Sequence, residues 1–235
     1  MGQKEFKSSI VRLIIADDEN HDAIADLSRA QHARDEAIGD VPGYEHQRLR
    51  ALDVGMVVDP FQATGKDAYV DVLEAASREA IPWREARRGL SIMLDGVEIS
   101  VLHPDGPTPD SFGGTDANAQ SVILLVRYGE FEALLTGDAP VEAEEAILAD
   151  LPTNLEVLKV GHHGSNTSTS PLLLAQTSPE LAVISVGARN RYGHPHDDVV
   201  DRILQSGARL LRTDLSGDIV IRARRSGLYD VRAEW

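Results

Sequence analysis

The sequence predicts an α/β protein, with antiparallel hairpins in its first half and parallel strand–helix–strand units in its second. Three observations lead there. Asp95-Gly96 and Gly129-Glu130 each join two short β-rich runs, the pattern of a hairpin. Residues 134–165, LLTGDAPVEAEEAILADLPTNLEVLKVGHHGS, read as apolar run, amphipathic segment and second apolar run, hence strand, helix, strand with the strands parallel. A third apolar run at 181–186, LAVISV, extends the pattern.

Taken in order, residues 10–15 (IVRLII) suit a buried strand, and the Ala-rich, charged stretch 23–37 suits a helix. Pro42-Gly43 marks a turn, and 52–58 (LDVGMVV) suits a strand ended by Asp59-Pro60. Apolar residues at helical spacing place a helix over 67–80, stopped near Pro82. The hairpins follow at 89–103 and at 121–128 with 131–136, separated by a loop rich in Pro, Gly and Asp. After the central unit come a helix near 171–176, the third parallel strand, and a helix to Gln205 capped by Asp197 or Asp198 and ended by Ser206-Gly207. Strands at 209–213, 219–223 and 228–233 close the chain, and helices are expected to cover the sheet faces.

Parallel strands present their C-terminal ends on one rim, where α/β proteins place their sites. Three successive strands end here in Asp138, in His162-His163, and in a loop carrying His194 and His196. Each signal alone is ordinary, but convergent Asp and His at equivalent strand ends point to a divalent metal. With no cysteine, any metal must sit on imidazole and carboxylate, and disulfides are excluded.

At 235 residues and 42% hydrophobic content the chain can bury one sizeable core. No run suits a membrane span or a signal peptide, which leads to the expectation of a soluble, cytoplasmic protein. The formal charge of −15 argues against broad duplex binding but suits a small anionic substrate met by metal ions. Basic residues gather only in WREARRG (Arg84, Arg87, Arg88) and RARRSG (Arg222, Arg224, Arg225), read as solvated charge on a helix and on an exposed hairpin. Lys159 alternates with apolar neighbours and is read as solvated or at an edge, and His103 is read as structural. Ser165, Asn166 and Thr167 can donate to phosphate oxygens or simply form a turn, and no G-x-S-x-G elbow supports a serine triad.

The segments VLHP (101–104), NAQS (118–121), LLTGDA, LKVGHHGSNTSTS and ISVGARNRYGHP, in that order, resemble the metallo-β-lactamase fold. More narrowly they resemble the hydrolase domain of ComEC-type competence channels, which take up DNA, and its free-standing relatives. The resemblance runs from Asp59 to Ile221 within one domain spanning 1–235, of which 1–58 diverges. It implies an αββα sandwich with a one- or two-metal site at one edge, zinc or manganese being the expected ions. It makes Asp138 the bridging ligand, His162 or His163 a ligand, and His194 a ligand or a contact to the transition state. The first half of that fold normally carries a His-x-Asp-x-Asp-His motif after a strand. Here Asp18 and His21 fall in place, while Ala16 stands for the first His and Asn20 for the metal-binding Asp. The first half is therefore truncated or divergent. One carboxylate and one imidazole there fall short of the three protein ligands usual for a catalytic zinc.

The expected function is a metal-dependent phosphodiesterase with nuclease-like activity using metal-bound hydroxide, with Asp138 and His194 catalytic. Its expected substrate is a phosphodiester or other small anion, single-stranded DNA included. Two alternatives stay open: a non-catalytic module of the same fold, motivated by Ala16 and Asn20, and hydrolysis of a lactone or thioester, which fold alone does not exclude.

Overall fold

The computed structural model describes residues 11–16, 22–25, 54–60, 67–106 and 117–234. The larger sheet has seven strands in the order β11-β10-β9-β8-β7-β6-β5. These are β5 (Ser91–Leu94), β6 (Val97–His103), β7 (Ile123–Tyr128), β8 (Phe131–Leu135), β9 (Val157–Lys159), β10 (Leu181–Ile184) and β11 (Arg209–Arg212). Strands β5 to β8 form the two expected hairpins and pair antiparallel throughout, whereas β8, β9, β10 and β11 run parallel.

The crossovers between the parallel strands are helical. They are α2 (Val141–Ala146) with a 3-10 turn (Leu148–Asp150), α3 (Pro171–Thr177) and α4 (Asp197–Gln205). Alternation along each strand sends side chains to opposite faces. Ile123, Leu125, Leu134, Leu158, Ala182 and Ile184 meet Ile147, Leu173, Leu174, Val199 and Ile203 of the helical layer. Val126, Tyr128, Phe131, Ala133, Val157, Leu181 and Val183 face a second sheet instead, against Ile219, Ile221 and Ala223. Phe131 meets Tyr229 edge-on at 6.0 Å across that interface. Burying each such large side chain stabilises by about 1.5–3 kcal/mol, so the two faces of this one sheet organise both cores.

The second sheet has four strands in the order β13-β12-β1-β2. Here β1 (Val11–Ala16) lies parallel to β12 (Asp218–Ala223), which pairs antiparallel with β13 (Tyr229–Glu234). A helix layer, the larger sheet and the smaller sheet thus stack in that order, three layers of the αββα sandwich expected of the metallo-β-lactamase type.

Several elements differ from expectation. Residues 22–25 form strand β2 (Asp22–Ala25), antiparallel to β1, in place of the start of a helix over 23–37; residues 26–37 lie outside the described ones. An edge next to β1 was free to pair, and pairing overrides the weak propensity of an Ala-rich run. Strand β3 is limited to Val57–Asp59 and pairs parallel with β4 (Trp83–Glu85), so Arg84 sits on a strand and not on a helix; α1 (Asp67–Arg78) joins the two. Thr213–Ser216 is a single helical turn (α5), and His196, not an aspartate, occupies the N-cap of α4 without a side-chain bond. Lys159 is only 3% exposed. Strand β9 lies centrally between β8 and β10 with both faces covered, and offers a lysine neither edge nor solvent.

Candidate metal centre

The C-terminal ends of β8, β9 and β10 share one edge, and each opens into a tight, heavily bonded turn. After β8, Thr136 donates its hydroxyl to the Lys159 carbonyl at 3.0 Å, and Gly137 brings the chain to Asp138, which is 8% exposed. After β9 comes a 3-10 turn over Gly161–Gly164. Its two histidines both lie in the left-handed region, with φ of 44° at His162 and 55° at His163. Such conformations cost of order 1–3 kcal/mol at a non-glycine residue and persist only where the surroundings enforce them. The enforcement is visible. His162 N–H donates to Gly137 O at 3.0 Å, Ser165 N–H to His162 O at 2.8 Å, and Ser168 Oγ to Gly161 O at 2.8 Å. A Cβ at Gly161 would stand 3.0 Å from Ser168 Cβ and 3.1 Å from Thr136 Oγ1, so glycine eases the close approach of three segments there.

His163 faces the site in a defined state. Its Nδ1 lies 2.6 Å from the carbonyl oxygen of Ser185, which can only accept, so Nδ1 carries the proton. In the neutral ring Nε2 then holds the lone pair, 3.8 Å from Asp138 Oδ1. A backbone carbonyl fixing the far nitrogen is how ligand histidines are oriented. His162 lies 6.4 Å from His163 and 5.7 Å from His194 between ring centroids, and its Nδ1 is 3.3 Å from Thr167 Oγ1.

His194 arrives on the loop after β10. Asn190 clamps it: its Oδ1 accepts from His194 N–H at 2.9 Å and its Nδ2 donates to His194 O at 2.7 Å. The two loops are tied further by His196 N–H to Gly164 O at 2.9 Å. His194 Nδ1 is buried without a hydrogen-bond partner. Burial holds the His194 pKa below the ordinary histidine value, and positive charge on His162, His196 and His163 would press it further down, against the opposing pull of Asp138. The imidazole is therefore neutral at pH 7, the form that can accept a proton or a cation.

A buried carboxylate supports this edge from below. Glu144 accepts from Thr169 N–H at 2.5 Å and Ser170 N–H at 2.8 Å, while Arg202 donates to the carbonyls of Ser168 and Thr169 at 3.5 and 3.3 Å and to Asp198 at 2.6 Å. Desolvation raises the Glu144 pKa despite the opposing effect of the Ser170 and Thr169 amides and Arg202.

The structure thus pairs Asp138 with His163 and draws His162 and His194 beside them. Among the described residues no three His, Asp or Glu side chains group closely enough to hold an ion together. Asp18 and His21 lie outside the described residues. His103 donates Nδ1–H to Ser121 O at 2.9 Å, in keeping with a structural role. Sequence reasoning missed Asn190, Ser185 and Glu144. Glu144 could have been found, because it falls three, four and seven residues before Ile147, Leu148 and Leu151, on the apolar stripe of its segment. Ser185 acts through its main chain, which leaves no mark in a sequence.

Two packed sheets with Asp and His gathered at one sheet edge define an α/β sandwich of the metallo-β-lactamase type. No family model matches the chain. It is 35% identical over 205 residues to ComE operon protein 3 of Bacillus subtilis (strain 168), covering 85% of this chain and 25% of that protein. It is 40% identical over 136 residues to competence protein ComA of Neisseria gonorrhoeae, 57% of this chain and 19% of that one. The chain is a homologue of one segment of the ComEC-type competence proteins, and it spans a quarter or less of the length of these relatives. Among solved structures, CmlA, a diiron β-hydroxylase from Streptomyces venezuelae, aligns over 80% of this chain and 41% of its own, with a TM-score of 0.47 and 13% identity. Among the described residues no helix is long and apolar enough to cross a membrane.

Proposed function

We propose that this chain is a metal-dependent hydrolase of phosphodiester bonds. The observation that carries the reading is the His163 geometry: Nδ1–H bonded to the Ser185 carbonyl leaves a lone pair at Nε2, beside the nearly buried Asp138 carboxylate. That donor set, with a neutral His194 whose Nδ1 has no protein partner, fits a divalent transition-metal ion such as zinc or manganese. Asp138 and His163 would hold it, with His162 or His194 completing the set, and Asp18 and His21 are the candidates from the first half of the fold. A divalent ion there supplies Lewis-acid polarisation at neutral pH.

The chain's own residues carry the remaining roles. Asp138 would orient a water by accepting its hydrogen bond. Neutral His194 retains one N–H to give to a phosphoryl or leaving-group oxygen, and one lone pair to take a proton. The strained turn bonds the Gly137 carbonyl and the Asn190 clamp holds the His194 main chain, so the backbone that carries both groups is ordered beforehand. The relation to competence proteins makes single-stranded DNA a candidate substrate, and a cytoplasmic location belongs to the same reading.

The test is metal titration of chelator-treated protein with zinc and manganese, read by bound metal and by hydrolysis of bis(p-nitrophenyl) phosphate. Uptake of an ion with metal-dependent hydrolysis is the expected result; no uptake sinks the reading. Ala16 and Asn20, which stand where the motif of the fold has ligands, favour one rival, a module of this fold without catalysis. Metal uptake without hydrolysis of any phosphodiester, lactone or thioester would establish it.

A further inference from the structure

The loop that delivers His194 also carries an aromatic ring with no role in the chemistry above. Tyr192 is 58% exposed, which is unusual for a large aromatic and sets it apart from the buried Tyr128 and Phe131. Its ring stacks on His194, with centroids 6.0 Å apart and planes within 18°. The Arg191 guanidinium carbon lies 5.6 Å from the centre of the same ring, a cation–π contact. Beside both neighbours the residue keeps more than half of its surface open to solvent. The loop is held as well: the Asn190 amide bonds His194 on both its backbone groups and Gly187 O at 3.1 Å.

We infer that Tyr192 and Arg191 form a nucleotide platform at the mouth of the site, the ring stacking a nucleobase and the guanidinium meeting the adjoining phosphate. The inference rests on the phosphodiesterase reading with a single-stranded substrate and adds the residues that would hold that strand. Aromatic stacking of unpaired bases tolerates any base, because every base has a π-face. A guanidinium pairs with phosphate oxygens through its fork of N–H donors. In a chain of 38 acidic and 23 basic residues, exposed Arg189 and Arg191 on one short loop give this rim the sign of charge that a polyanion needs. A duplex buries its base faces in the helix and offers nothing to the ring. Because Tyr192 stacks on His194, a base held on this ring would bring its strand to the His194 side of the site.

The test is fluorescence anisotropy with chelator present, so that nothing is cleaved. The probes are a labelled short oligothymidylate and an abasic strand of equal length. The wild type should bind the oligothymidylate about 5–100-fold more tightly, the stacking contribution of one base. Tyr192→Ala should remove that difference and Tyr192→Phe should keep it. Arg191→Gln should weaken both probes alike and flatten the salt dependence. Equal binding of the two probes by the wild type, or an unchanged preference in a folded Tyr192→Ala, overturns the platform. Hydrolysis of bis(p-nitrophenyl) phosphate by the wild type tells the two readings apart. If it persists while base preference is missing, only the platform falls; base preference without hydrolysis leaves the platform and removes the enzyme.

Discussion

His163 donates its Nδ1–H to the carbonyl of Ser185 at 2.6 Å, and this one bond between the ends of β9 and β10 fixes which nitrogen faces Asp138. Because the acceptor is main chain, the Ser185 side chain is free to change. Its hydroxyl is buried without a hydrogen-bond partner, so Ser185→Ala should leave stability unchanged or raise it by up to about 1 kcal/mol. Metal affinity should stay within about 2-fold, against a loss beyond 10–100-fold for His163→Ala. Thermal melts and metal titration of both variants check this; a Ser185→Ala protein that no longer binds metal would show the hydroxyl, not the carbonyl, to be the important group.

The second relationship is steric. Gly164 has a φ of +83°, and a Cβ there would stand 2.5 Å from Pro195 Cβ, inside any allowed contact. Gly164→Ala combines left-handed strain with overpacking where the His162-His163 turn meets the His194 loop. It should cost about 2–4 kcal/mol, lowering the melting temperature by ~5–10 °C, and should weaken metal binding by parting the loops. Gly187→Ala is the control, since nothing lies within 4 Å of its added Cβ. Equal melting temperatures for the two variants would contradict the packing.

Much of this was legible in the sequence. The turns Asp95-Gly96 and Gly129-Glu130, and the alternation of apolar runs with one amphipathic segment, name the hairpins and the parallel units, because backbone geometry ties them to local residue types. That Asp138, His162, His163 and His194 would meet at one sheet edge was readable for the same reason: topology alone brings the ends of parallel strands together. What escaped depends on who the neighbour is. Strand β2 forms because an edge was available beside β1, and Lys159 is buried because β9 turned out central. Asn190 and Glu144 act through backbone groups far from them in sequence or hidden in a turn, and no residue pattern encodes such partners.

Glu144 gives a prediction with a sign. Its pKa in the fold is raised by desolvation, so the folded state keeps that proton to higher pH than the unfolded state does. Its contribution is complete below the unfolded carboxyl value, about 4.3, and declines as pH rises through the raised value in the fold. Glu144→Gln cannot titrate. The stability of the wild type relative to Glu144→Gln should therefore fall as pH rises across that window and level off above it. Melting curves of both proteins from acid to neutral pH test this, and a difference that is flat or grows with pH would mean that the Thr169 and Ser170 amides, not desolvation, set the proton affinity.

The last prediction concerns asymmetry between the halves of the site. Asp138 is a nearly buried carboxylate beside an oriented imidazole. His21, in contrast, follows a motif in which Ala16 and Asn20 stand where ligands are expected. Metal binding at about 100 times its dissociation constant stabilises a fold by about 2.7 kcal/mol, a gain of ~5–10 °C for a chain of this size. Asp138→Asn should reduce that gain to near zero, since it removes the charged ligand and leaves an amide whose nitrogen cannot bind a cation. His21→Ala should keep most of it. Zinc and manganese titrations of both variants, followed by thermal unfolding, decide the matter. If His21→Ala loses the gain as fully as Asp138→Asn, the first half-site is intact and Asp18 with His21 belongs to the metal centre on equal terms.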